Sequence, residues 1–199
     1  MTHVMQLSRQ LLEELFAAVG AHLYPLGCEV AIVVVGGANL VVMGVVERTT
    51  DDVDVIARAS RDRGTWRLVP PEPFPGELVD AVSKVARDHY LPEDWLNAVV
   101  GRQWKTGLPP GFEEDIDWRE FGYLTVGFVG RPGQICLKLF AAVDQGPRSV
   151  HWQDLIAFRP TVDEIATATA WVRDQDAGAE FQEFVTDAVN RLYLDLARD

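Results

Sequence analysis

The sequence predicts a mixed α/β (α+β) core, a small mixed sheet flanked by helices, with a helical C-terminal layer. Three observations carry that expectation. The run EVAIVVV, residues 29–35, is β-branched and apolar and reads as a buried strand. Helical spacing of apolar residues precedes it at Leu7, Leu11, Leu12, Leu15, Phe16 and Val19, and dominates the chain after Cys136. Between these, short strand-like and helix-like segments alternate without internal repeat, low-complexity tract or long linker.

In order, the spacing predicts a helix over 5–20, the strand over 29–35, a turn at Gly36-Gly37 and a helix over 38–46. VDVIA, 53–57, is a second short strand. The arginine- and proline-rich stretch that follows, 58–77, reads as a loop. Helices are expected over 77–89 and within LPEDWLNAVVGRQW, and a strand over 121–129. QICLKLFAAVDQG reads as strand-like, turning helical near Cys136. Thr161 and Glu164 have the spacing of a capping box ahead of VDEIATATAWVRD, and the remainder is helical. The division expected is an α/β core over 1–135 and a helical subdomain over 136–199.

Bulk properties narrow the function. With 199 residues, 48% hydrophobic and 24% charged, the chain suits one globular domain or one with a small appendage. A formal net charge of −12 argues against indiscriminate DNA binding, so any RNA contact needs a local basic patch. Cys28 and Cys136 sit in apolar runs with no metal-ligand spacing and read as buried, reduced thiols. MTHVMQLSRQLLEEL lacks the basic start and cleavage site of a signal peptide, which gives a cytoplasmic expectation. Residues 28–46 imitate a membrane span, but Glu29, Asn39 and the glycine pair interrupt them, and no membrane association is expected.

The chemistry concentrates in residues 36–54. Alternation along a strand puts Asp52 and Asp54 on one face and Val53 and Val55 on the other. Two carboxylates so placed make half of an oxygen site for Mg²⁺, which takes one or two carboxylates plus substrate phosphates. Gly36-Gly37 lets backbone approach a ligand closely, and the following helix start offers N–H groups to phosphate. Arg48 stands ready to neutralise a phosphate or to pair with an aspartate. An Asp-x-Asp at a solvated strand end is the plainer reading, and the P-loop, dinucleotide and EF-hand patterns are absent.

Taken in order, a buried strand, GGANLVVMG and RTTDDVDV resemble the nucleotidyltransferase superfamily that includes the minimal nucleotidyltransferases and AbiEii-type toxins. The match falls on Gly36, Gly37, Arg48, Thr50, Asp52, Val53 and Asp54; LPEDWLN and the segment around Lys138 and Asp154 look like the DUF6036 branch. The resemblance implies a nucleotidyltransferase-type sheet, with Asp52 and Asp54 as metal ligands and catalytic carboxylates. It implies that Gly36, Gly37, Arg48 and Thr50 bind nucleotide, that Lys138 contacts phosphate, and that Asp154 is the acidic residue of a C-terminal motif. It further implies Mg²⁺ as cofactor, an NTP as substrate and a macromolecular acceptor, either RNA such as tRNA or a partner protein, in a toxin–antitoxin or defence setting.

Two departures from the family pattern stand out. Gly37 replaces the usual serine, and the later strand YLTVGFVG lacks the third carboxylate, for which Glu120, Asp117 or Asp154 would have to substitute. These leave open a catalytically weak nucleotide-binding or protein-interaction module of the same fold. For an RNA acceptor the candidate surface is Arg58, Arg61, Arg63 and Arg67, with Trp66 to stack on a base; a solvated arginine loop explains the same letters.

Overall fold

A computed structural model describes residues 6–198, which fall into two compact units. One unit comprises Met1–Lys105 and Ile116–Val129; the other comprises Thr106–Asp115 and Gly130–Asp199.

The first unit is built on a mixed sheet. Helix α1 (Arg9–Leu23) begins at Ser8, whose hydroxyl accepts the N–H of Leu11. The expected helix starts at residue 5, outside the described residues, and within them Leu7 instead exchanges backbone hydrogen bonds with Thr50 at 2.7 and 3.1 Å. Strand β1 (Val30–Val35) is buried throughout, and α2 (Gly36–Val42) follows it directly. This helix starts and ends earlier than the apolar pattern implies. Gly44, at φ +72°, donates to Val41, and Val45 donates back to Leu40, a left-handed stop that satisfies the last carbonyls.

Strand β2 (Val53–Asp62) and β3 (Thr65–Val69) form a hairpin where the sequence reading placed a loop. Arg63 and Gly64 both have positive φ, at 49° and 88°, which is the two-residue turn whose twist suits a hairpin. Helix α3 (Gly76–Asp88) matches its expected span. The stretch expected to be helical after it instead holds a two-residue strand, β4 (Leu96–Asn97), and a 3₁₀ helix over Val99–Lys105. The strand expected over 121–129 forms as β6 (Leu124–Val129), and it is the second arm of a hairpin whose first arm is β5 (Ile116–Phe121), with Gly122 at φ +66° turning the chain between them.

The strand order is β3-β2-β1-β6-β5, with β4 paired to β2. β1 runs antiparallel to β2 and parallel to β6. Leu12, Leu15, Phe16 and Val19 of α1, Val82 and Val85 of α3, and Ile32, Val34, Val55, Val126 and Phe128 of the sheet form one apolar core. Each such side chain contributes about 1.5–3 kcal/mol by leaving water.

The second unit is helical: α4 (Arg131–Gln145), α5 (Val150–Phe158), α6 (Val162–Arg173) and α7 (Ala179–Leu196). Residues 134–136, expected as strand, lie inside α4, which Pro132 starts in its first turn. The capping box forms as its spacing predicts: Thr161 Oγ1 accepts from the Glu164 N–H and the Glu164 carboxylate accepts from the Thr161 N–H. Phe140 meets Trp171 and Phe181 edge-on at 5.9 and 6.2 Å, joining α4 to α6 and α7. Cys136 is buried, and desolvation pushes its thiol up to about 11; Cys28 is half-buried, and neither is in a disulfide. Among the described residues no helix is long and apolar enough to cross a membrane.

Candidate functional site

The glycine turn and the aspartate strand meet because of a register. The register shifts between Val33 and Val34 of β1, where Ile56 of β2 is the extra residue, and this leaves Val35, the last residue of β1, opposite Asp54 of β2. Bulges re-aim side chains, and they recur beside active sites. Gly36 follows at φ +71°, a conformation that side-chain-bearing residues rarely adopt. The Asp54 carboxylate packs on its α-carbon, in the space a Cβ would need. Neighbouring Gly37 receives the Thr50 hydroxyl in the same way, with the Arg48 guanidinium 3.6 Å from the position of its missing Cβ. Crowding therefore dictates both glycines, and at Gly36 the dihedral angle does so as well.

The intervening loop is fastened at Thr50. Its backbone bridges to Leu7, and its hydroxyl donates to the Asp52 carbonyl at 3.3 Å. Arg48 donates to the Thr49 carbonyl at 2.9 Å. Val53 and Val55 are fully buried while Asp52 and Asp54 are half-buried, so the alternation directs both valines into the core and both carboxylates to the other face. Asp51 is exposed. Gly36, Gly37, Arg48, Thr50, Asp52 and Asp54 thus gather within one corner of the sheet.

Lys138 and Asp154 belong to the helical unit. Lys138 on α4 and Asp154 on α5 are sealed from solvent, and the ammonium donates to Asp154 Oδ2 at 2.8 Å. Of the substitutes for a third carboxylate, Asp117 pairs with Arg119 at 2.9 Å and Asp154 with Lys138. Among the described residues no group of three His, Cys, Asp or Glu side chains is placed to share a metal ion.

The arginine stretch leaves Arg61, Arg63 and Arg67 exposed and Trp66 half-buried. It lies on the β2–β3 hairpin, where Trp66 stacks on Trp118 of β5 at 4.3 Å and Arg61 covers the Trp66 ring at 5.2 Å. The alternating face of β3 turns Trp66 onto the sheet, and a loop reading could not foresee that.

Sequence reasoning passed over two polar side chains beside these elements. Asn39 of α2 is buried and donates to the Val129 carbonyl at 3.0 Å, while its Oδ1 has no partner. Asn97 of β4 donates to Asp52 Oδ2 at 3.4 Å. The apolar company of Asn39 was its only signal; Asn97 had none until β4 paired with β2.

Residues 10–99 match the family model described as a nucleotidyltransferase of unknown function, DUF6036. That span contains the glycine turn, the aspartate strand and β4, and ends short of Lys138 and Asp154. No curated protein and no solved structure matches the chain. Residues 10–99, which include Asp54 seated on Gly36, are thus similar to a family of nucleotidyltransferases of unknown function.

Proposed function

We propose that the protein transfers an NMP from an NTP to a macromolecular acceptor, with Mg²⁺ as cofactor. The observation that carries this reading is the seating of the Asp54 carboxylate on Gly36, with Thr50 and Arg48 on Gly37. A bare backbone, two carboxylates and a guanidinium are the groups that a metal–triphosphate pair requires. The donor set fits a hard cation: oxygen ligands only, from Asp52 and Asp54, with phosphate and water completing the shell. When bound, such a cation would neutralise charge on the phosphates and polarise the reacting phosphoryl group.

The chain's own residues supply position. The backbone amides of Gly36 and Gly37 cradle phosphate oxygens, Arg48 adds a fixed positive charge, and Thr50 holds the loop on the glycine turn. An acceptor hydroxyl attacks the α-phosphorus. The bond from that phosphorus to the oxygen bridging to the β-phosphate breaks, pyrophosphate leaves with the electron pair, and the hydroxyl proton passes to solvent. Lys138 and Asp154 enter as a pair that stiffens α4 against α5, with a phosphate contact by Lys138 as the finer expectation.

The net charge of −12 and the covered Trp66 favour a protein acceptor over tRNA. A toxin–antitoxin or defence setting, in the cytoplasm, is the context that accompanies this reading. Gly37 in place of the usual serine, and YLTVGFVG without a carboxylate, favour the second reading, a weakly catalytic nucleotide-binding module.

Incubation with each α-labelled NTP, Mg²⁺, tRNA and lysate protein decides between the two. Label transferred to either acceptor supports the enzyme; saturable NTP binding without transfer supports the module. Neither binding nor transfer would remove both.

A further inference from the structure

Strand β4 is only two residues long, yet it is held firmly at both ends. It runs parallel to β2, with Leu96 opposite Val53 and Asn97 opposite Asp54. Just before it, the Val53 N–H donates to the Trp95 carbonyl at 2.7 Å, and the buried Trp95 indole donates to the Val82 carbonyl of α3 at 3.3 Å. Just after it, the Trp104 indole donates to the Ile56 carbonyl of β2 at 2.6 Å. Two tryptophans thus fix the stretch on either side of Asn97.

The amide of Asn97 is oriented by chemistry. Its oxygen accepts the Val99 N–H at 3.1 Å, and a backbone N–H can only donate. The amide nitrogen is therefore the end that faces Asp52, donating to Oδ2 at 3.4 Å.

We infer that Asn97 is a positioning residue that holds the Asp52 carboxylate in place to receive a divalent cation. The inference rests on the proposed metal-dependent reading of Asp52 and Asp54. Three aspartates within four residues repel one another, and one of them needs a partner that fixes it without discharging it. A lysine or arginine at 97 would compete with the cation, and an apolar residue would remove the amide donor that faces Oδ2. A neutral donor on an anchored strand orients the carboxylate and preserves its charge.

The test uses the full chain, Mn²⁺ as a spin probe, and thermal scans with and without Mg²⁺, on wild type, Asn97→Ala, Asn97→Asp and Asp54→Asn. Loss of such an outer partner lowers metal affinity by about 10-fold or more, so Asn97→Ala is expected to bind Mn²⁺ about 10-fold more weakly with an altered resonance. Asn97→Asp keeps the shape, removes the donor and adds a third carboxylate. It is expected to melt lower than wild type without cation and to gain more from Mg²⁺ than wild type does. Should Asn97→Ala fail to fold, Asn97→Asp carries the test alone. Unchanged Mn²⁺ affinity and an unchanged Mg²⁺ response in these variants, with both lost in Asp54→Asn, would overturn the role of Asn97 and leave the metal site standing. Equal behaviour of wild type and Asp54→Asn would remove the metal-dependent reading, and Asn97's role with it.

Discussion

Asp54 and Asp154 are chemically the same group, and the two units treat them in opposite ways. In the sheet unit Asp54 is half-buried and rests on Gly36, beside backbone that carries no side chain. In the helical unit Asp154 is 1% exposed and Lys138 is 3% exposed, with their charged ends 2.8 Å apart. A carboxylate beside open backbone stays reachable by a ligand. A sealed pair is balanced internally, because neither ion survives burial without the other. The difference sets a charge that a ligand can reach apart from a charge closed within the fold.

The sharpest test of that difference is to neutralise one member on each side. Asp54→Asn keeps shape and removes a charged ligand, so transfer should fall by about 10³-fold, several kcal/mol of lost stabilisation, while thermal unfolding changes little. Lys138→Met leaves Asp154 buried without its cation and should cost about 3–5 kcal/mol of stability, most of it recovered in the double variant Lys138→Met, Asp154→Leu. Label transfer and urea titration on the three proteins read both effects. Wild-type stability in Lys138→Met together with strong loss of activity would move Lys138 from packing to phosphate binding.

The same contrast explains what could be read from the sequence. Gly36-Gly37 and Asp52/Asp54 are local signals, fixed by turn chemistry and strand alternation, and their meeting needs one antiparallel pairing across a short loop. The Thr161 capping box is equally local. The β2–β3 hairpin hid because its turn is Arg63-Gly64 and its strands carry arginines, where a buried strand would carry alternating apolar residues. β5 hid for a like reason: Ile116, Trp118 and Phe121 are interrupted by Asp117, Arg119 and Glu120 on an edge strand. Asn97 was illegible because a two-residue strand has no periodicity, and its partner Asp52 lies 45 positions away. The pairing of Lys138 with Asp154 likewise appears only when α4 packs on α5.

A smaller effect is expected at the glycine turn. In Gly36→Ala the new methyl meets the Asp54 carboxylate, and the residue must hold φ near +71°. The left-handed conformation costs about 1–2 kcal/mol in a residue with a Cβ, so the variant should melt lower than wild type. Displacement of Asp54 should also weaken the Mg²⁺-dependent response in a thermal scan with NTP. Gly44→Ala, at φ +72° with open space around it, is the control: similar backbone strain, no carboxylate to displace. An undiminished Mg²⁺ response in Gly36→Ala would mean that the contact with Asp54 is packing alone.

The smallest effect concerns a third carboxylate, intermediate between the two already compared. Glu164 accepts from Arg131 at 2.6 Å at the start of α6, with side chains 24% and 45% exposed. The hydrogen bond from Arg131 is the main reason its carboxyl sits at about 2, below the ordinary 4.5; burial opposes this, and the Thr161 N–H adds to it. A lowered value means that the ionised form is favoured by the fold, so the stability it contributes is complete above pH 4.5. That contribution is lost as pH falls from 4.5 toward about 2. Solvent reaches both partners, so the contribution at neutral pH is about 1 kcal/mol, well short of a sealed pair. Glu164→Gln keeps an oxygen for the Thr161 N–H and removes the charge. Urea midpoints of wild type and Glu164→Gln should differ at pH 7, and the gap should narrow as pH drops below 4.5 and shrink in high salt. A gap that stays constant from pH 7 down through the acid range would assign the effect to the helix cap and leave nothing to the ion pair.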